Sequence, residues 1–256
     1  MTIFDSIILG IVEGITEFLP ISSTGHLALT EYLLRIAPSD FNKSFNIAIQ
    51  LGAILSVAVL YWRRLLLDRK SLARVAVAFV PTGVLGVLFY KVVKQYLAGN
   101  QEVILWSMFI GGALLIVFEL LHKEKESAVQ DMDQISYQQS FAIGLFQSIA
   151  MIPGVSRSAA TILGGLLLGV SRRVIVEFSF VLAVITMAAA TGLDLLQNAS
   201  AFSVDQATVL LVGFVTSFLV AIISIKWLLQ YIKLHSFIGF GVYRIVAALL
   251  FWWFLM

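Results

Sequence analysis

Cysteine is absent from this 256-residue sequence, histidine occurs three times, and only 12% of the residues are charged. Without thiols there is no disulfide, no thiolate metal site and no cysteine nucleophile. The shortage of charge excludes more. A soluble domain is about a quarter charged, and a chain of this size with half that could not cover itself in water. A soluble enzyme, a disordered chain and a nucleic-acid binder are excluded. The net charge is +2, too small a field to steer a polyanion. Basic residues are missing from Met1 to Asp5, and no small-residue cleavage site follows. No cleavable signal peptide is expected.

What is present is apolar, at 60% of the residues, and the expected solvent is a lipid bilayer. Six segments, roughly 45–62, 76–96, 103–121, 174–196, 207–225 and 236–256, are long enough to cross about 30 Å of hydrocarbon. Two further apolar stretches, 3–37 and 140–170, are broken by Pro20 and Pro153 with neighbouring glycine and serine. Their halves are too short to span. They are expected to form re-entrant helix-loop-helix hairpins, whose irregular backbone must be buried in protein or line a wet cavity. The expected fold class is an all-α polytopic membrane protein with six transmembrane helices and two re-entrant hairpins.

Lysine and arginine orient the spans. The segment 63–74 holds Arg63, Arg64, Arg69, Lys70 and Arg74, and is expected in the cytoplasm. Alternation then places Lys123, Lys125, Arg172, Arg173, Lys226 and Lys233 inside, with Arg35, Lys43, Lys91 and Lys94 outside. Both termini face outward. The first hairpin enters from outside and the second from inside.

The two halves resemble each other. Gly10-Ile-Val-Glu13-Gly-Ile15 aligns with Gly144-Leu-Phe-Gln147-Ser-Ile149, and Pro20-Ile-Ser-Ser-Thr24 with Pro153-Gly-Val-Ser-Arg-Ser158 after a one-residue slip. Each half is a hairpin followed by three spans, an odd number, so the second copy is inverted. The single membrane domain 1–256 thus divides into repeats 1–121 and 136–256. Inverted repeats with broken helices place a polar site near the midplane where they meet.

The polar residues concentrate in the breaks. Glu13 and Glu17 lie one turn apart on one helix face. A charge at the bilayer centre costs about 3 kcal/mol on insertion scales, and a divalent cation offsets an acid pair most simply. Ser22, Ser23, Thr24, Gly25 and His26 follow directly. An N-cap accounts for one hydroxyl, not for three and a histidine. A near-neutral histidine can activate a hydroxyl or protonate a leaving group. In the second break, Ser156, Arg157 and Ser158 stand at the start of a half-helix. A helix N-terminus with an arginine fork suits phosphate. An ion pair between Arg157 and Glu13 or Glu17 is the structural alternative. Arg244, within the last span, needs an anion or carbonyl partner and is a further phosphate candidate, as are Gln50 and Thr161. Glu119, Glu177 and Asp194 near span ends are expected to anchor at the interface or pair with bases. Gly111-Gly112 and Met187 to Ala190 indicate close helix packing.

Acids with a metal, a cationic cradle and a nucleophile with a base fit phosphoryl transfer on a lipid-linked phosphate or diphosphate. Glu13-Gly-Ile-Thr-Glu17-Phe-Leu-Pro-Ile-Ser-Ser-Thr-Gly-His26 and Pro153-Gly-Val-Ser-Arg-Ser158 resemble the two signature motifs of the bacterial undecaprenyl-diphosphate phosphatase family, the bacitracin-resistance type. The resemblance extends over essentially the whole chain, including Tyr243-Arg244; one departure is Ala159, where the family usually has glycine. It implies hydrolysis of undecaprenyl diphosphate to undecaprenyl phosphate, recycling the carrier of cell-wall sugars. It also implies Mg²⁺ or Ca²⁺, residence in the bacterial plasma (inner) membrane, a site open to the outer face, a polyprenyl diphosphate partner among membrane lipids, and a homodimer. By that analogy Glu13 and Glu17 handle metal or water, Ser23 or His26 takes part in attack, and Arg157 holds the diphosphate. Ser22, Thr24, Ser156, Ser158, Thr161, Gln50 and Arg244 are the expected substrate contacts. Histidine nucleophile, histidine-activated serine and metal-activated water all stay open.

Two rival readings exist. The type-2 phosphatidic-acid phosphatase pattern requires His and Asp where Leu163 and Leu167 stand. A transporter or flippase of a polyprenyl phosphate would use the same architecture, but would have no need of an acid pair beside the arginine.

Overall fold

A computed structural model describes residues 1–97, 99–124, 127–198 and 206–255, the side chains of Lys94, 193–198 and Leu255 excepted. Lys125 thus lies outside the described residues, as do the side chains of Lys94 and Asp194. The described chain is helical: α1 (Ile3–Thr16), α2 (Ser23–Leu33), α3 (Asp40–Leu60), α4 (Trp62–Leu67), α5 (Arg69–Val92), α6 (Gln101–Leu121), α7 (Tyr137–Ser148), α8 (Arg157–Leu167), α9 (Arg172–Asn198), α10 (Ala207–Tyr231) and α11 (Ile238–Leu255). A lone bridge between Val129 and Val170 is the nearest thing to a strand among them.

Five helices, α3, α5, α6, α9 and α10, are long and apolar enough to cross a membrane. The segment expected as the last span is α11, whose apolar part, Ile238–Phe254, is shorter. Large apolar side chains stay uncovered along these helices, for example Val87 at 72%, Leu88 at 68% and Leu121 at 80% exposure. Such an apolar exterior requires lipid.

Some boundaries differ from the hydropathy expectation, for a local reason. Segment 63–74 lies between two of the expected spans, yet most of it is helical. Asp68 caps α5 by accepting from the Ser71 amide at 3.0 Å, so the helix begins at Arg69, seven residues before the apolar window. Arg74 donates to the Ile135 carbonyl at 2.8 Å, anchoring this polar first turn. At its far end α5 passes into a π turn over Val93–Leu97.

Helix α1 packs on α10, and α7 packs on α5. In the same way α3 lies on α10, and α9 on α5, while α6 pairs with α11 and α3 with α9. Small residues allow the close crossings. A Cβ on Gly14 would lie 2.8 Å from the Ser217 carbonyl oxygen, so α1 and α10 touch backbone to backbone there. Polar side chains stitch the same faces: Ser6 donates to the Val209 carbonyl at 2.7 Å and Ser217 to the Ile49 carbonyl at 2.7 Å. Glu119, near the end of α6, pairs with Arg172 at the start of α9 at 2.6 Å, and Glu177 pairs with Arg173 at 3.0 Å. The largest core cluster fills the space around the two helix breaks, where Phe18 meets Phe180 edge to face at 5.5 Å.

Candidate active site

Helix α1 stops because Pro20 has no amide hydrogen to continue it. The chain turns through residues 17–22, and Ser22 takes a left-handed backbone, φ 75°, before α2 starts at Ser23. The partner break lies between α7 and α8. Gly154 adopts φ 89°, and a Cβ there would run into the backbone of Ile104. Ser156 then caps α8 by accepting from the Ala159 amide at 3.2 Å.

The two breaks are joined. Ser158 donates to the Phe18 carbonyl at 2.8 Å. Arg157 places Nη2 3.0 Å from Glu17 Oε1 and donates through Nη1 to the Ser179 carbonyl at 3.1 Å. The other oxygen of Glu17 accepts from the Ser23 hydroxyl at 2.5 Å. Ser23, Glu17 and Arg157 thus form one chain of hydrogen bonds across 140 residues of sequence.

A cavity of about 190 Å³ opens on this chain. Glu17, Ser22, Ser23, Thr24, Ser156 and Arg157 line it, with Gln50 from α3 and Met187 from α9. Helix α2 has no side-chain cap at Ser22. Its first-turn amides and the positive end of its dipole therefore face the cavity unpaired by a cap, which is an anion-binding arrangement.

Glu13 lies one turn behind Glu17. It is fully buried, and neither of its carboxylate oxygens has a hydrogen-bond partner. A bare buried carboxylate is costly unless a cation meets it. Two hard-oxygen donors from successive turns fit Mg²⁺ or Ca²⁺, which take carboxylate oxygens and complete their shell with water or phosphate oxygens. No group of three or more His, Asp or Glu occurs among the described residues, so a cation held by Glu13 and Glu17 would take the rest of its shell from water or phosphate oxygens.

The expected site residues separate into two sets. Glu17, Ser22, Ser23, Thr24, Gln50, Ser156 and Arg157 reach the cavity. Glu13 does not line it, and His26, Ser158, Thr161 and Arg244 are held nearby by other bonds. His26 Nδ1 is 2.7 Å from the Ser22 carbonyl, and Nε2 is 2.8 Å from the Tyr243 hydroxyl. A carbonyl only accepts, so the Nδ1 proton is assigned to that bond and the neutral ring accepts from Tyr243 at Nε2. Thr161 bonds to the Arg157 carbonyl at 2.9 Å. Arg244 is 1% exposed and donates to backbone carbonyls.

Several supporting groups are not legible from the sequence. Gln147 holds Thr82 at 3.0 Å and Thr186 at 3.1 Å beneath the second break, and Ser179 supplies the carbonyl that steadies Arg157. The one signal was the repeat, which sets Gln147 opposite Glu13.

Known proteins resemble this chain over nearly its whole length. The family model described as "Bacitracin resistance protein BacA" matches residues 6–250. The chain is 49% identical over 251 residues to the undecaprenyl-diphosphatase of Aquifex aeolicus, covering 98% of each. It is 49% identical over 252 residues to that of a Sulfurihydrogenibium species, covering 98% of this chain and 99% of the other. It is 48% identical over 255 residues to that of Wolinella succinogenes, covering 100% and 99%.

Proposed function

The chain belongs to the bacitracin resistance protein BacA family, and we propose that it hydrolyses undecaprenyl diphosphate to undecaprenyl phosphate and inorganic phosphate. Recycling this lipid carrier sustains cell-wall synthesis and confers bacitracin resistance. The observation that carries the proposal is the partly buried Ser23–Glu17–Arg157 chain facing a cavity.

The diphosphate enters the cavity while its tail remains in lipid. Arg157 and the open N-terminus of α2 receive the phosphoryl oxygens. Glu17 accepts the Ser23 proton as Ser23 Oγ attacks the terminal phosphorus, and the bond to the bridging oxygen breaks, releasing polyprenyl phosphate. Water then cleaves the phosphoserine, returning the proton to Ser23 and freeing phosphate. Because Ser23 bonds to Glu17 and both ring nitrogens of His26 are engaged elsewhere, the acid is the base, and His26 holds the Ser22 backbone. Glu13 and Glu17 would hold a divalent cation, which, when bound, neutralises charge on the phosphoryl group.

The remaining topology is part of the same proposal. Six spans and two re-entrant hairpins form an inverted repeat, 1–121 and 136–256. The reciprocal packing of α1 on α10 and α7 on α5, and of α3 on α10 and α9 on α5, supports it. Gln50 lies ten residues from the start of α3, roughly 15 Å along the helix, which supports a cavity near mid-membrane. The basic segment between α3 and α5 favours an inner-membrane orientation with the cavity open to the outer face.

Phosphate release from undecaprenyl diphosphate by the purified chain, with Mg²⁺ or Ca²⁺ and with EDTA, tests this. Cation-dependent release is expected. Silence from well-folded protein under both cations would overturn hydrolysis.

A further inference from the structure

Arg244 is the largest fully buried side chain described, and its charge is met by carbonyls rather than by a carboxylate. Nη1 donates to the Pro20 carbonyl at 3.3 Å, and Nη2 to the Gly154 carbonyl at 3.0 Å. Nη2 also reaches the Ser107 carbonyl at 3.0 Å, and Nε the Met108 carbonyl at 3.2 Å. Pro20 belongs to the first break and Gly154 to the second. Both carbonyls sit where a helix is interrupted, so neither has the full helical complement of partners. A single planar guanidinium spans them because its donors point in several fixed directions at once.

The neighbouring residue does a related thing. Tyr243 bonds to His26 Nε2 at 2.8 Å, and the two rings stack with centroids 5.5 Å apart. His26 in turn bonds to the carbonyl of Ser22 at 2.7 Å, the left-handed residue just before Ser23. Adjacent side chains of α11 therefore hold the backbone on both sides of the cavity. The slot for Arg244 is made by Gly111 on α6, where a Cβ would collide with the guanidinium. Neither Tyr243 nor Arg244 lines the cavity.

We propose that Tyr243 and Arg244 form a positioning clamp, which sets the first break against the second so that Ser23 and Arg157 act on one phosphoryl group. The clamp rests on the hydrolytic function above. It takes Arg244 out of the substrate-binding set and gives it a role exerted through Pro20 and Gly154. A clamp of this kind governs alignment in the transition state more than affinity, so its loss reduces kcat and spares KM.

The test uses the full chain in detergent and three variants: Arg244→Lys, Tyr243→Phe and Gly111→Ala. Each is measured for kcat and KM on undecaprenyl diphosphate, and for hydrogen exchange of segments 17–24 and 152–157. Lysine keeps the charge but cannot span both carbonyls. For Arg244→Lys, kcat is expected to fall about 100-fold, on the scale of a small misplacement of reacting groups, with KM within about threefold. Exchange should quicken in both segments. Gly111→Ala should reproduce this by displacing the guanidinium, and it keeps the proposal testable if Arg244→Lys fails to fold. Tyr243→Phe keeps the ring stack, and should lower kcat about tenfold with faster exchange in 17–24 alone. A raised KM at unchanged kcat would overturn the clamp in favour of direct substrate binding, and unchanged exchange in both segments would overturn it outright. Wild type that releases no phosphate would overturn the hydrolytic function alone, and the exchange pattern would still decide the clamp.

Discussion

Ser23 and Glu17 are joined by a 2.5 Å hydrogen bond, although a proline and a left-handed turn separate them. Helix α1 delivers the acid at its C-cap, just past its last turn, and α2 delivers the hydroxyl at its first residue. The break between the helices is what brings carboxylate and hydroxyl together, and the second break adds Arg157 on the carboxylate's far oxygen.

Arg157 bridges Glu17 and the Ser179 carbonyl with separate nitrogens. A lysine ammonium at Arg157→Lys supplies a point charge without the fork. Steady-state kinetics should show kcat/KM reduced about 100-fold or more, the scale seen for loss of one donor to a transition-state oxyanion. Kinetics within a few-fold of wild type would contradict a forked phosphate contact.

His26 contributes one donor to the Ser22 carbonyl. Asparagine can offer an amide N–H where Nδ1–H stands, and alanine cannot. His26→Asn should therefore retain measurably more turnover than His26→Ala. Equal and complete loss in both would mean that the imidazole itself reacts.

Glu13 carries two unpartnered carboxylate oxygens in the interior. A cation at one hundred times its Kd would add about 2.7 kcal/mol to the wild type. Thermal melts should show a rise of several degrees with Mg²⁺ or Ca²⁺, and Glu13→Gln should abolish it. Without cation the glutamine variant should be no less stable, since it removes a buried ionisable group that has no partner. The same cation-dependent rise in the variant would place the ion elsewhere.

Glu119 accepts from Arg172 and from the Phe237 amide at 3.1 Å, with its side chain 4% exposed and that of Arg172 19% exposed. Glu119→Ala leaves Arg172 without its partner. Denaturant titration should show about 3 kcal/mol of lost stability, with turnover per folded molecule kept. A loss under about 1 kcal/mol, as for a surface pair, would show that water already screens it.

Much of the fold was legible because a bilayer imposes long apolar runs, and because Pro20 and the Pro153-Gly154 pair interrupt two of them. The acids, hydroxyls and Arg157 stood out for the same reason: polar groups are conspicuous in an apolar chain. What stayed hidden was pairing at long range. Arg157 could have met Glu13 or Glu17, and the choice of Glu17 follows from how α8 packs beside the first break. Arg244 showed as a charge needing a partner, but nothing in the sequence distinguishes four carbonyls from a phosphate. His26 beside Ser23 suggested a base, and only the fold turns its ring toward Ser22 and Tyr243. The early start of α5 was missed because the Asp68 cap lies outside any apolar window.

The most direct measurement is the turnover of Ser23→Ala on undecaprenyl diphosphate, with rapid quenching of the wild type to look for phosphate on Ser23. If Ser23 is the attacking group and Glu17 its base, the variant should lose turnover by about 1,000-fold or more, the scale of losing a catalytic-triad nucleophile. The label should be an acid-stable phosphoserine at that position. Turnover by Ser23→Ala within a few-fold of wild type, or label on His26, would contradict the account.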